Sequence, residues 1–264
     1  MRILACFKVL PEFERVVDPD WENFDPSSDL GYVGRAFGCF DETVLETALR
    51  LKDALLKTGS DAECCALTLG PLPPLLCRHL FASGFDRVLA GAVAGLEFRH
   101  TETAAALGGI AKTMSCDLIL AGRQAGYADT GMVPLLLAEV LSVPVVSEVE
   151  TVSLPLGLPP FAHLIFERTC PNKRERVGVR LPALAVMGNS RVSALRAATL
   201  AAQMKVAGVR PESFPVSGFD VAKTKTPTLV RRQQRRNCVF LPAGDGLATS
   251  VSSLDEKIRE WGGR

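Results

Sequence analysis

Histidine is nearly absent: the 264 residues contain only His79, His100 and His163, and a zinc or iron site is not expected from so few, widely spread ligands. Eight cysteines are present, but none are spaced C-x-x-C. Cys6, Cys64, Cys65 and Cys116 lie in or beside expected strands, where a reduced thiol serves as a small apolar core group. No G-x-x-x-x-G-K-[ST], G-x-S-x-G or H-E-x-x-H pattern occurs, so the motif evidence for a hydrolase is missing. A charge excess is missing too. Thirty basic against 29 acidic residues leave +1, which points neither to a nucleic-acid protein nor to a solvating acidic chain. No apolar run reaches the roughly 18 residues of a membrane span; the best, Val133 to Val146, is interrupted by Glu139 and Pro144. Lys8 breaks the apolar N-terminus and no small-residue cleavage site follows, so no signal peptide is read and a cytoplasmic location is expected.

What is present is a chain that can build a core. Hydrophobic residues make up 47%, and the length suits one large α/β domain, or one domain with a smaller appendage. The mean hydropathy of +0.18 suits either a large core or an apolar surface covered by a partner. The informative stretch is Asp117 to Leu141. Leu118 to Ala121 reads as a buried parallel strand, followed by a polar loop with Gly122, Gly126 and Gly131. An apolar helical segment then runs from Met132 to Leu141, with Asp129 or Thr130 as its cap. A strand, a glycine-rich loop and a helix start make an anion site, because backbone N–H groups can approach a phosphate. Arg123 adds a cation. An ordinary strand-to-helix turn is the plainer reading of the same residues.

Along the chain, Ile3 to Leu10 is expected as a first strand and Glu12 to Gly38 as a long polar excursion. Glu42 to Lys57 is an amphipathic helix, with Val44, Leu45, Ala48, Leu51 and Leu55 on one stripe and Gly59 at its end. Strand Ala62 to Leu69, helix Leu72 to Ser83, strand Arg87 to Ala90 and helix Thr101 to Met114 follow, the last with Thr101 or Thr103 as cap. This alternation predicts a doubly wound, mostly parallel sheet whose ligand edge gathers Cys6, Leu69 and the stretch from Gly122 to Thr130. After Pro144 the segments Val145 to Val152, Ala162 to Arg168 and Arg176 to Val186 look like an antiparallel addition. Asn189 to Ala207 is a weak helix candidate and Ser253 to Trp261 a short terminal helix. Ala222 to Arg236 carries six basic residues and no acid, either a solvated face or a docking arm for an acidic surface.

The order of features resembles the beta subunit of electron transfer flavoproteins, up to about Gly208. Ala5-Cys6-Phe7-Lys8 is similar to the family's first strand. Gly38-Cys39-Phe40-Asp41-Glu42 resembles its Asn-Pro-Phe/Tyr-Asp-Glu turn, and Leu69-Gly70-Pro71 the end of its second strand. Gly122-Arg123-Gln124-Ala125 with Asp129-Thr130-Gly131 resembles the loop Gly-Arg/Lys-Gln-Ala-Ile-Asp-Gly-Asp-Thr. Arg168, Glu175, Val177 and Leu181-Pro182 are spaced as in its C-terminal signature, and Arg196-Ala197-Ala198-Thr199-Leu200 with Met204-Lys205 is similar to its recognition loop. There are departures. Tyr127 stands where an acidic residue is usual and offers a ring for stacking; Ala128 replaces a glycine, Gly38-Cys39 replaces Asn-Pro, and Pro171-Asn172-Lys173 replaces Asp-Gly-Gly.

The resemblance implies an α/β, Rossmann-like fold of the adenine nucleotide alpha hydrolase type, with a small antiparallel addition and a C-terminal arm. Residues 1–188 would be the nucleotide-binding domain, and 189–264 a partner-docking segment and arm. It implies a heterodimer with an alpha subunit that holds or shares FAD, and AMP or a second FAD in this chain, the latter in bifurcating members that oxidise NADH. Cys6 and Gly38, Cys39, Phe40 and Asp41 would receive adenine and ribose, with Leu69 as an apolar wall. Gly122, Arg123, Gln124, Ala125, Gly126, Tyr127, Asp129, Thr130 and Gly131 would form the phosphate loop. Leu200 and Lys205 would meet an acyl-CoA dehydrogenase or another redox partner. No side chain is expected to do acid–base chemistry, since a flavin carries the redox step. The alternative is an adenine-nucleotide sensor or scaffold with no redox role.

Overall fold

A strand buried on both faces needs apolar side chains in succession, and β1 (Arg2–Cys6) has them. Ile3 and Ala5 enter one core, and Leu4 and Cys6 the other. The computed structural model describes residues 1–17, 32–91, 96, 99–126, 130–157, 159, 161–214 and 247–262. The further strands are β2 (Val9–Pro11), β3 (Arg35–Phe37), β4 (Glu63–Thr68), β5 (Arg87–Ala90) and β6 (Leu118–Gly122). After them come β7 (Val145–Ser153), β8 (His163–Cys170), β9 (Lys173–Arg180) and β10 (Ala183–Met187). The helices are α1 (Cys39–Lys57), α2 (Pro74–Ser83), α3 (His100–Met114), α4 (Val133–Leu141), α5 (Leu200–Lys205) and α6 (Leu247–Gly262).

The main sheet has the order β5-β4-β1-β6-β10-β7-β8-β9. Its first six strands are parallel, and β8 and β9 extend it antiparallel. Val44, Leu45, Ala48 and Leu49 of α1 and Leu80 of α2 cover one face, while Ala104 and Leu107 of α3 and Leu137 of α4 cover the other. The doubly wound, mostly parallel α/β fold expected from the alternation is therefore present. From β1 the chain builds outward through β4 and β5, then crosses to β6 on the other side of β1. The strand order reverses there, which is where open α/β sheets bind ligands.

Several boundaries differ from the sequence reading. The expected first strand, Ile3 to Leu10, is two strands, because the Lys8 N–H donates to the Asp41 carboxylate (3.2 Å) instead of to the sheet. β2 then pairs antiparallel with β3 inside the expected polar excursion. Arg176 to Val186 is also divided. β9 is the antiparallel edge, and beyond Leu181–Pro182 the chain re-enters the sheet centre as β10, parallel between β6 and β7. Pro182 has no N–H for a continuing ladder, and all five residues of β10 are buried. Neither Thr101 nor Thr103 caps α3: its N-cap position is Arg99, and the Thr103 hydroxyl donates back to the Arg99 carbonyl (2.7 Å). Of Asn189 to Ala207 only α5 is helical, and α6 is longer than Ser253 to Trp261. The basic run from Ala222 to Arg236 lies outside the described residues.

The chain divides into two units, Met1–Thr224 and Lys225–Arg264. In the first, the segment after β10 folds onto the sheet and its helices. Leu195 joins the core beside α1, and Glu212 bridges to β5 through Ala90 N–H to Glu212 carbonyl (3.0 Å) and Glu212 N–H to Val88 carbonyl (2.8 Å). In the second, α6 spaces Val251, Leu254, Ile258 and Trp261 along one helical face. No helix among the described residues is long and apolar enough to cross a membrane.

The contact of α3 with α4 depends on a missing side chain. A Cβ built on Gly108 would lie 2.5 Å from Cγ1 of Val140, a branched side chain with little freedom to yield. Gly108→Val is expected to destabilise the fold by about 1–3 kcal/mol through overpacking, read as a lower midpoint in equilibrium urea denaturation.

Candidate functional site

The switch point is closed by the first turn of α1. Gly38 holds the N-cap position and cannot cap by a side chain; Asp41, three residues on, turns back beneath it. The Asp41 carboxylate is 6% exposed and accepts the Lys8 N–H from the end of β1, while the Asp41 N–H donates to the Gly38 carbonyl (2.9 Å). A Cβ on Gly38 would stand 2.6 Å from Asp41 Oδ2, and a Cβ on Gly122 would stand 3.0 Å from the Phe40 Cβ and 3.1 Å from Asp41 Oδ1. Glycine at both positions lets β1, β6 and α1 meet. Burial pushes the Asp41 carboxyl up to about 7, against the Lys8 and Gly38 backbone hydrogen bonds and the Lys8 charge, which pull it down.

Around this junction the structure assembles much of the expected set. Cys6 pairs in register with Leu67 of β4 and Ala121 of β6, so it lies between the strands that lead to Leu69 and Gly122. Leu69 is buried in the same core as Cys6. Burial drives the Cys6 thiol far above its ordinary range, aided by Cys116 and Asp41, so it acts as an apolar wall. Cys39, by contrast, is exposed at the start of α1. The loop leaves β6 with the Arg123 N–H donating to the Met187 carbonyl (3.0 Å). Gly131 adopts φ +66°, and a Cβ there would lie 3.3 Å from the Arg123 carbonyl and 3.9 Å from Gln124 Cγ, so the loop folds back on its own start. At Gly126, built Cβ contacts of 3.7 Å to Leu10 and 3.8 Å to Phe13 place the loop over the β2 segment. Ala125 belongs to the same turn; Tyr127 and Asp129 lie outside the described residues.

The expected capping by Thr130 is not what forms. The N-cap position of α4 is Met132, without a side-chain cap, and Pro134 occupies the first turn, where a missing N–H costs nothing. The Thr130 hydroxyl instead accepts weakly from the Met132 N–H (3.4 Å) and lies 3.5 Å from His100 Nδ1 at the start of α3.

Arg123 is the charged centre of the site. Its guanidinium carbon sits 4.9 Å from the centroid of Phe40, and Nη1 donates to both oxygens of Glu148 (3.1 and 3.0 Å). Its Nε is buried without a partner among the described residues. Sequence reasoning missed Glu148. It lies 25 residues away, on the bulge of β7, and nothing in its neighbourhood marks it as special.

These groups fit an adenosine phosphate. They comprise a helix start without a side-chain cap, a cation that meets Glu148 through Nη1, glycines where a strand and a helix converge, and an apolar wall at Cys6 and Leu69.

Leu200 and Lys205, the expected partner contacts, begin and end α5, which packs on α2. Thr199 caps this helix by accepting the Ala202 N–H (3.2 Å), and Leu200 and Met204 stand 73% and 70% exposed one turn apart. The segment before it is clamped. Arg196 Nε and Nη2 bind Glu46 (3.0 and 3.1 Å), Nη1 binds Asp53 (2.8 Å), and its carbonyl accepts from His79 (3.1 Å). Burial opposes ionisation of Glu46, yet the Arg196 and Arg50 hydrogen bonds hold its carboxyl below the usual range.

Because the Asp41 carboxyl is raised above its unfolded value, its stabilising contribution is complete below the ordinary carboxylate range. It is lost as pH rises towards 7. Asp41→Asn keeps an acceptor for Lys8 and removes the titration. Between pH 4 and 7 the parent is expected to lose about 2–4 kcal/mol relative to the variant, measured as the difference between their denaturation midpoints across a pH series.

The electron transfer flavoprotein domain, as a sequence family, matches residues 33–213, more than half of the chain and the whole span from β3 to the Glu212 bridge to β5. The chain is 30% identical over 188 residues to the caffeyl-CoA reductase-Etf complex subunit CarD of Acetobacterium woodii, covering 70% of this chain and 67% of that protein. It is 31% identical over 154 residues to the acryloyl-CoA reductase electron transfer subunit gamma of Anaerotignum propionicum, covering 56% of this chain and 54% of that one. With the doubly wound sheet and the loop after β6 in place, the chain belongs to the electron transfer flavoprotein family.

Proposed function

We propose that this chain is the beta-type subunit of a heterodimeric electron transfer flavoprotein, holding AMP or FAD at the switch point. With its alpha subunit it passes electrons from a dehydrogenase to a downstream acceptor. The observation that carries the reading is the convergence of Cys6, the Gly38–Asp41 turn, Leu69 and the Gly122–Gly126 strand end on one edge of the sheet. Adenine and ribose rest against Cys6, Leu69 and the α1 turn, and phosphate lies on the loop from Gly122 to Gly131 near Arg123. A flavin bound in the complex supplies the electron-carrying chemistry. The protein's own residues bind, orient and exclude water; none is assigned a proton transfer. The relatives named for CoA-ester reductases support a CoA-linked dehydrogenase as electron donor or acceptor. Location in the cytoplasm belongs to the same reading.

Leu200 is the proposed anchor for that dehydrogenase, extended by Met204 and flanked by Lys205. Both apolar side chains are exposed on a capped helix whose base is fixed by Arg196, so docking meets a preformed surface.

Co-expression with the alpha subunit from the neighbouring reading frame, followed by release and counting of nucleotides, tests the assignment. One FAD plus one further adenine nucleotide per heterodimer is expected. A second FAD would support NADH-driven bifurcation, AMP a simple electron shuttle, and one FAD alone would overturn nucleotide binding by this chain. In the same complex, Leu200→Ala is expected to lower kcat/KM with an acyl-CoA dehydrogenase roughly tenfold, as for a buried interface anchor, with the nucleotide count unchanged.

A further inference from the structure

Glu148 is held in place at a conformational cost. Among the described residues three non-glycine positions have positive φ: Ser115, Ser142 and Glu148. Ser115 and Ser142 are the C-caps of α3 and α4, where a left-handed residue ends a helix. Glu148, at φ +57°, lies inside strand β7, where such a backbone is unfavourable for a residue with a side chain. The pairing shows how it arises. From Ala185 to Met187 of β10 the partner strand advances from Val146 to Val149, so β7 carries an extra residue at Ser147–Glu148. A bulge of this kind turns a side chain away from its regular alternation. Gly188 leaves room for it, since a Cβ there would lie 2.6 Å from Glu148 Oε2 and 3.0 Å from its Cα. The re-aimed carboxylate meets Arg123 with both oxygens.

We propose that Glu148 is a specificity-determining residue of the nucleotide site, an internal counter-anion that occupies Arg123 and must be outcompeted by a ligand's phosphate. The inference rests on the adenine-nucleotide reading above. Its physical basis is the charge balance. Arg123 is the cation at the strand end beside the phosphate loop, and Glu148 neutralises it through one nitrogen, while Nε has no partner among the described residues. A dianionic terminal phosphate entering here gains the guanidinium but meets the carboxylate, at a separation where like charges repel. An uncharged nucleoside does neither. The site is thereby tuned against ligands with concentrated negative charge, while the contacts to base and ribose are untouched. Phe40 stacks under the guanidinium and keeps it in place whichever anion it binds.

Calorimetric titration of the full-length chain, freed of bound nucleotide, with AMP and separately with adenosine tests this. Glu148→Gln keeps the side-chain length and the backbone but removes the charge. It is expected to tighten AMP roughly three- to tenfold, the scale of a partly exposed ion pair, and to change adenosine less than twofold. Arg123→Met is expected to weaken AMP, and Glu148→Gln added to it to give no further tightening. AMP affinity unchanged by Glu148→Gln, or AMP and adenosine shifted equally, would overturn the role of Glu148 while leaving the nucleotide site standing. A parent chain that binds neither ligand would overturn the adenine-nucleotide reading, and this inference with it.

Discussion

The buried carboxylate of Asp41 is the point on which the rest of the ligand edge depends. It takes the Lys8 N–H at the moment β1 leaves the sheet, and thereby sets where α1 begins relative to that strand. Gly38 and Gly122 then approach it closely: a Cβ would stand 2.6 Å from Asp41 Oδ2 at Gly38 and 3.1 Å from Asp41 Oδ1 at Gly122. A buried carboxyl is costly when charged. Here burial pushes the carboxyl up to about 7 against the pull of its backbone donors, so the group is uncharged well below that pH.

Beside this junction stands one ion pair, Arg123 with Glu148. Arg123 and Glu148 come from neighbouring parts of the sheet edge, one at the end of β6 and the other on the bulge of β7, with β10 between them. Glycine recurs at this edge as a space requirement: Gly122 for α1 and Gly188 for Glu148. Far along the chain, Arg196 ties the segment that precedes α5 to Glu46 and Asp53 on α1. One helix therefore carries the Gly38–Asp41 turn at its start and the anchor of the segment before α5 along its length.

Much of this was legible before the structure. Alternating apolar segments named the parallel sheet, and the residue order around Gly38–Asp41 and Gly122–Gly131 named two turns that the fold brings to one edge of that sheet. What misled was continuity. Ile3 to Leu10 and Arg176 to Val186 each read as one strand because apolar pattern does not record where a backbone N–H finds a better partner, as Lys8 does at Asp41. Nor does it record where a proline ends a ladder, as Pro182 does. Thr130 read as a cap because its type and place were right; the chain enters α4 two residues later.

The sequence by itself determined the layers, the two apolar cores and the glycine-rich turn, because hydrophobic period and turn chemistry act over a few residues. Tertiary structure alone decided which charges meet. Asp41 and Lys8 are 33 residues apart, Arg123 and Glu148 are 25 apart, and Arg196 and Glu46 are 150 apart. Those pairings follow from strand order, register and a single inserted residue in β7. These are properties of how segments pack on one another, and no local pattern along the chain encodes them.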